Sequence, residues 1–123
     1  MYENTIEVGK EYIEKWNNHE LIQAVPGGLY WFNILQKKVD KGVALRELMD
    51  MYNIAPEEVI AIGDNMNDIT MLNAADLSIA VDNARQEVKC ICDKVIPSNM
   101  QDGVANYLLN EYKNSLKAEQ KVL

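Results

Sequence analysis

The sequence predicts an α/β fold, on three observations. Three short apolar runs in the second half, Val59 to Ile62, Leu77 to Val81 and Lys94 to Ile96, alternate with segments of helical texture. Strands that read as continuous apolar runs, each followed by a helix, belong to parallel sheets covered by helices. Earlier in the chain, two runs rich in β-branched and aromatic residues flank Pro26-Gly27-Gly28, the signature of a hairpin. The expected architecture is a partial Rossmann-like core of about three parallel strands with helices on both faces, preceded by a helix and a β-hairpin.

Each element has its own justification. From Thr5 to Trp16, Ile6, Tyr12, Ile13 and Trp16 fall on one helical face among Glu and Lys, and Asn17-Asn18 ends the segment. "LIQAV" and "LYWFNILQ" form the hairpin. A helix is predicted from Val43 to Tyr52, with Ala44, Leu48 and Tyr52 at four-residue spacing as its apolar face. Pro56-Glu57-Glu58 leads into the strand Val59 to Ile62. Helices are predicted from Asp68 to Ala74 and from Ala84 to Cys92, before the strands at Leu77 and Lys94 respectively. A last amphipathic helix carries Val104, Leu108 and Tyr112 and fades into the polar tail "KNSLKAEQK".

Composition narrows the function classes. The 123 residues, 48% apolar, suffice for one small globular unit. A net charge of −7 argues against a nucleic-acid surface, which needs a Lys/Arg excess on one face. No apolar run approaches the roughly 20 residues of a membrane span, and the first residues lack the pattern of a signal peptide. Cys90 and Cys92 read as reduced thiols, which fits a cytoplasmic protein; the single histidine, His19, is far from them in sequence.

Two motifs carry chemistry. Gly63-Asp64 follows a parallel strand directly, where open α/β sheets bind their ligands. With Asn67 and Asp68 a turn later, it offers hard oxygen ligands suited to Mg²⁺, which takes one or two carboxylates and completes its shell with water and substrate phosphate. The alternative is a plain turn, with Asp68 capping the following helix. An EF-hand is excluded, because Met66 and Ile69 stand where it needs a ligand and a glycine. The second motif is Lys41-Gly42 at a helix start. Either Asp40 caps that helix and Lys41 reaches solvent, or Lys41 and the helix start meet an anion such as phosphate.

In this order and spacing, "DKGVALRELMDMYNIAPEEVIAIGDNMNDITMLNAADLSIAVDNA" resembles the haloacid dehalogenase-like superfamily, most closely its Cof-type sugar-phosphate phosphatase branch. Lys41-Gly42 is similar to the third motif of that branch, Gly63 to Asp68 to its fourth (Gly-Asp-x-x-Asn-Asp), and "VIPSNMQDGVANYL" to its closing strand and helix. The match runs from about Val39 to Leu109. The resemblance implies a Mg²⁺-dependent phosphate monoester hydrolase working through an aspartyl-phosphate. Lys41 would bind phosphate, Asp64 would ligate Mg²⁺, and Asn67 and Asp68 would support it.

One departure stands out. The nucleophile motif of the family is Asp-x-Asp, and none of the eight aspartates here stands two from another. The resemblance therefore implies the C-terminal part of such a phosphatase, with residues 1–38 the remnant of a cap and residues 39–123 the second half of the core. It also implies no hydrolysis by this part alone. Two alternatives are one half of a split hydrolase completed by a partner chain, and a non-enzymatic interaction domain reusing the fold. The expected partners are a phosphorylated small molecule and either a second copy or another chain covering the exposed sheet edge; neither nucleic acid nor membrane is expected.

Overall fold

The structure is a computed structural model that describes residues 2–26 and 31–120. Helix α1 (Tyr2–Asn17) packs on an antiparallel hairpin of β1 (Ile22–Pro26) and β2 (Phe32–Gln36), with Val25 opposite Asn33 and Gln23 opposite Leu35. The expected turn at Pro26-Gly27-Gly28 lies mostly outside the described residues. The Asn17 side chain ties helix to hairpin by accepting the Ala24 N–H at 2.8 Å, and Ala24 is buried between them.

The second half holds α2 (Lys41–Tyr52), β3 (Ile60–Gly63), α3 (Ile69–Leu72), β4 (Leu77–Val81), α4 (Gln86–Ile91), β5 (Lys94–Ile96) and α5 (Gly103–Gln120). Its three strands form one parallel sheet in the order β3-β4-β5, as the apolar runs predict. Ser78, Ile79, Ala80 and Val81 of the central strand are all buried, which is why that run shows no polar alternation. Around them Ala61, Leu72, Ala84, Val88, Ile96 and Tyr107 complete the core. In this three-strand sheet β3 is an edge, and its Ile60 stays 43% exposed.

Several boundaries and faces differ from expectation. α2 begins at Lys41, because the Asp40 carboxylate accepts the Val43 N–H at 2.9 Å and caps the helix two residues early. Its packed residues are Gly42 and Met49, while Leu48 and Tyr52 of the predicted apolar face are 49% and 67% exposed. Four-residue spacing marks a face; the close approach of Gly42 to α3 decides which face turns inward. The predicted Asp68–Ala74 helix is a 3₁₀ turn, Met66–Asp68, followed by the single turn of α3. The Ala84–Cys92 helix shortens to Gln86–Ile91, since Ala84 closes a turn onto the Val81 carbonyl at 2.8 Å and enters the core. α5 does not fade at Lys113 but continues to Gln120; Gly103 and Tyr107 are buried, with Leu108 and Tyr112 exposed.

Ser78 is a buried polar residue in an apolar strand, and Asp93 satisfies it. The Asp93 carboxylate accepts from the Ser78 hydroxyl at 2.6 Å and from its N–H at 2.8 Å, while the Asp93 N–H donates to the Ser78 carbonyl at 3.0 Å. These bonds join the starts of β4 and β5. The Ser78 hydroxyl, then its N–H, hold the Asp93 carboxyl below the usual carboxylate range. A lowered carboxyl stabilises the fold above its unfolded pKa, near 4, and that contribution is lost as pH falls through the lower folded value. Thermal midpoints should thus fall more steeply below about pH 4 for wild type than for Asp93→Asn, which starts lower at neutral pH. Parallel midpoint curves for the two proteins would contradict this role.

Candidate functional site

The site grows from the carboxyl end of β3. Gly63 is the last residue of the strand, paired with Ala80, and a Cβ there would lie 2.7 Å from Cβ of Asp68. Only glycine lets the loop fold back so closely. The chain then turns through Asp64 and Asn65 into the 3₁₀ turn that ends at Asp68. The Asn65 side chain opens that turn by accepting the Met66 N–H at 2.8 Å.

Asp68 is buried, at 3% exposure, and holds the loop together. Its Oδ2 accepts the N–H groups of Asp64 at 3.0 Å and Asn65 at 3.1 Å; its Oδ1 accepts from Nζ of Lys41 in a short ion pair. Burial pushes the Asp68 carboxyl upward, but the bonds from Lys41 and from the two backbone amides outweigh it and leave it below the usual range. Asp68 makes no side-chain bond into α3, so the capping alternative does not describe it. With both oxygens engaged, it ties the loop to the start of α2.

Lys41 is brought to Asp68 across 27 residues of sequence by the seating of α2 on α3. The Gly42 N–H donates to Oγ1 of Thr70 at 3.1 Å, and a Cβ on Gly42 would sit 2.3 Å from the Thr70 carbonyl oxygen. Asp40 is the cap, as one alternative for this motif has it, but Lys41, with a half-exposed side chain, pairs with Asp68 instead of reaching only solvent. Thr70 and Arg85 escaped the sequence reading. The signal for Thr70 was Gly42 itself, because a glycine inside a helix marks a close approach. Arg85 contributes through its backbone N–H, which donates to the Asp64 carbonyl at 3.0 Å; no side-chain pattern reveals such a bond.

The Asp64 side chain is exposed, and no described residue bonds its carboxylate. It borders a shallow cleft of about 240 Å³ with Gly63, Asn83 and Asn99. Lys41 and Asn67 border a second cleft, of about 320 Å³, between α2 and the hairpin. The loop therefore brings all four predicted residues into one neighbourhood but presents Asp64 on one opening and Lys41 with Asn67 on the other. Among the described residues no group of three or more His, Cys, Asp or Glu side chains is arranged to hold a metal. Cys90 and Cys92 are free thiols. No helix of the described residues is long and apolar enough to cross a membrane.

Comparison with known proteins follows the same outline. The family profile of haloacid dehalogenase-like hydrolases matches residues 2–108. The chain is similar to phosphatase YwpJ of Bacillus subtilis, 36% identical over 95 residues that cover 77% of the chain and 33% of that protein. It is also similar to a phosphoglycolate phosphatase of Methanopyrus kandleri, 39% identical over 87 residues, or 71% of the chain and 37% of that protein. Among solved structures, a protein of Streptococcus mutans superposes with a TM-score of 0.82 at 27% identity, covering 89% of the chain and 42% of that structure. The chain thus spans about a third of the length of the curated relatives it matches.

Proposed function

The chain belongs to the haloacid dehalogenase-like hydrolases, and on that footing we propose that it supplies the phosphate- and metal-binding half of a phosphoryl-transfer site of the Cof type. The observation that carries this reading is the Lys41–Asp68 pair, which joins two motifs 27 residues apart at the carboxyl end of a parallel strand. In this reading residues 1–38 belong to a cap and residues 39–123 to the core.

Lys41 binds a phosphoryl oxygen as a point charge, exchanging part of its contact with Asp68 for the anion. Asp64 would hold Mg²⁺: its carboxylate is exposed and bonded by no described residue, and a single protein carboxylate is within the usual habit of that ion. The bound ion would neutralise phosphoryl charge. Asp68 orients the loop through the Asp64 and Asn65 amides, and Asn67 lines the cleft beside Lys41. No Asp-x-Asp pair occurs in this sequence, so these residues bind the group to be transferred without attacking it.

Titration calorimetry tests the metal half. Wild type should give heat with MgCl₂ and a raised thermal midpoint, and Asp64→Ala should abolish both while leaving the far-ultraviolet spectrum unchanged. Turnover of p-nitrophenyl phosphate by this chain alone, abolished by Asp64→Ala, would refute its inability to hydrolyse.

A second reading, that a partner chain completes the site, is favoured by the β3 edge, where Ile60 is 43% exposed. It expects self-association, or pairing with a chain that brings an Asp-x-Asp-x-Thr strand. Sedimentation showing only monomer, together with no activity on mixing such a chain, would remove it.

A further inference from the structure

The 320 Å³ cleft has a wall that the phosphate-binding reading does not use. Residues directly opposite in an antiparallel pair share a face, as do residues two apart along a strand. Val25 faces Asn33 and Gln23 faces Leu35, so these four lie on one side of the hairpin. That side looks onto the start of α2. Val25, Leu35, Val39 and Ala44 line the cleft with apolar surface, Asn33 and Asn67 add carboxamides, and Asp40 and Lys41 supply the charges. Gln23 fastens the arrangement, its Nε2 donating to the Val39 carbonyl at 3.0 Å and to the Gln36 carbonyl at 3.4 Å.

The charges make the cleft selective. Lys41 is the one cation among the described residues that line it, and Asp68 already draws on that charge. Asp40 beside it is anionic at neutral pH, its carboxyl held down chiefly by the Val43 N–H. One anion is therefore served near Lys41, and a second would meet a carboxylate and an apolar wall.

We infer that this cleft receives the organic group of a phosphate monoester, and that it selects a small, uncharged, largely apolar group over one bearing a carboxylate. The inference rests on the reading of Lys41 as the phosphate-binding residue. It sets this chain apart from a site for phosphoglycolate, the substrate named for one of its relatives.

Because the sequence holds no Asp-x-Asp pair, esters should stay intact while they are titrated. Inorganic phosphate, phenyl phosphate and phosphoglycolate are compared in MgCl₂ buffer by nitrogen-15 amide shifts, read at Gly42 and at Val25 and Leu35. Phenyl phosphate should bind on the order of ten-fold tighter than phosphate, from burial of its ring, and phosphoglycolate no tighter than phosphate. Asp40→Asn keeps a capping side chain and should raise the phosphoglycolate-to-phosphate affinity ratio. Leu35→Asn should erase the phenyl preference and keep phosphate binding.

Phosphate binding with no phenyl preference overturns the inference and leaves the Lys41 reading standing. So does phosphoglycolate bound as tightly as phenyl phosphate, or a ratio unmoved in Asp40→Asn. If neither phosphate nor phenyl phosphate binds, the Lys41 reading fails and this inference with it.

Discussion

Replacing Asp68 by alanine is expected to lower the unfolding free energy by about 3 kcal/mol, the largest loss among the polar positions of the site. The substitution removes the acceptor for the Asp64 and Asn65 N–H groups together with the partner of Lys41. An amide left without an acceptor in a folded loop costs about 1–3 kcal/mol, and exposure of Asp64 to water keeps the pair toward the lower end. The ion pair adds little, since the half-exposed Lys41 is screened and pairs of that kind are worth at most about 1 kcal/mol. Asp68→Asn retains an acceptor oxygen and should lose roughly half as much. Urea unfolding at neutral pH checks both; a loss below about 1 kcal/mol for the alanine variant would mean that the loop holds its shape without Asp68. At acid pH the difference should shrink, because a carboxyl held below its unfolded pKa, near 4, loses its contribution as pH falls from there through the lower folded value.

Gly42→Ala should be similarly damaging, for a steric reason. In an unconstrained helix the change is favourable by about 1 kcal/mol. Here the new Cβ would stand 2.3 Å from the Thr70 carbonyl oxygen and 2.5 Å from its carbon, so α2 and α3 must separate. Overpacking of this kind costs about 1–3 kcal/mol, and the contact is with backbone, which cannot rotate away. The net expectation is a loss of about 2 kcal/mol, with weakened phosphate binding as Lys41 moves off the loop. Gly9→Ala in α1 is the control: a Cβ there meets nothing within 4 Å, and the variant should gain about 0.5–1 kcal/mol. Equal responses at the two glycines would show that the α2–α3 contact adapts freely.

Both expectations depend on features that differ in how far the sequence reveals them. The parallel sheet was legible because a strand buried on both faces cannot alternate, and "LSIAV" does not. Asp64 was legible as a candidate because it directly follows such a strand. The motif resemblance around Lys41 and Asp68 was legible too, but the bond between them was not. The sequence alone left Asp68 open as ligand, support or helix cap, since all three are roles an aspartate at a loop end performs.

Local pattern thus determined the element order, the hairpin, the parallel layer and the neighbourhood of the site, because periodicity and turn chemistry act over a few residues. Tertiary structure decided which side of α2 turns inward, that Thr70 receives Gly42, that Asp68 divides its oxygens between the loop and Lys41, and that the hairpin faces Lys41 with Val25 and Leu35. Those outcomes depend on contacts between segments distant in the chain, and their energies exist only once the packing has brought the atoms together.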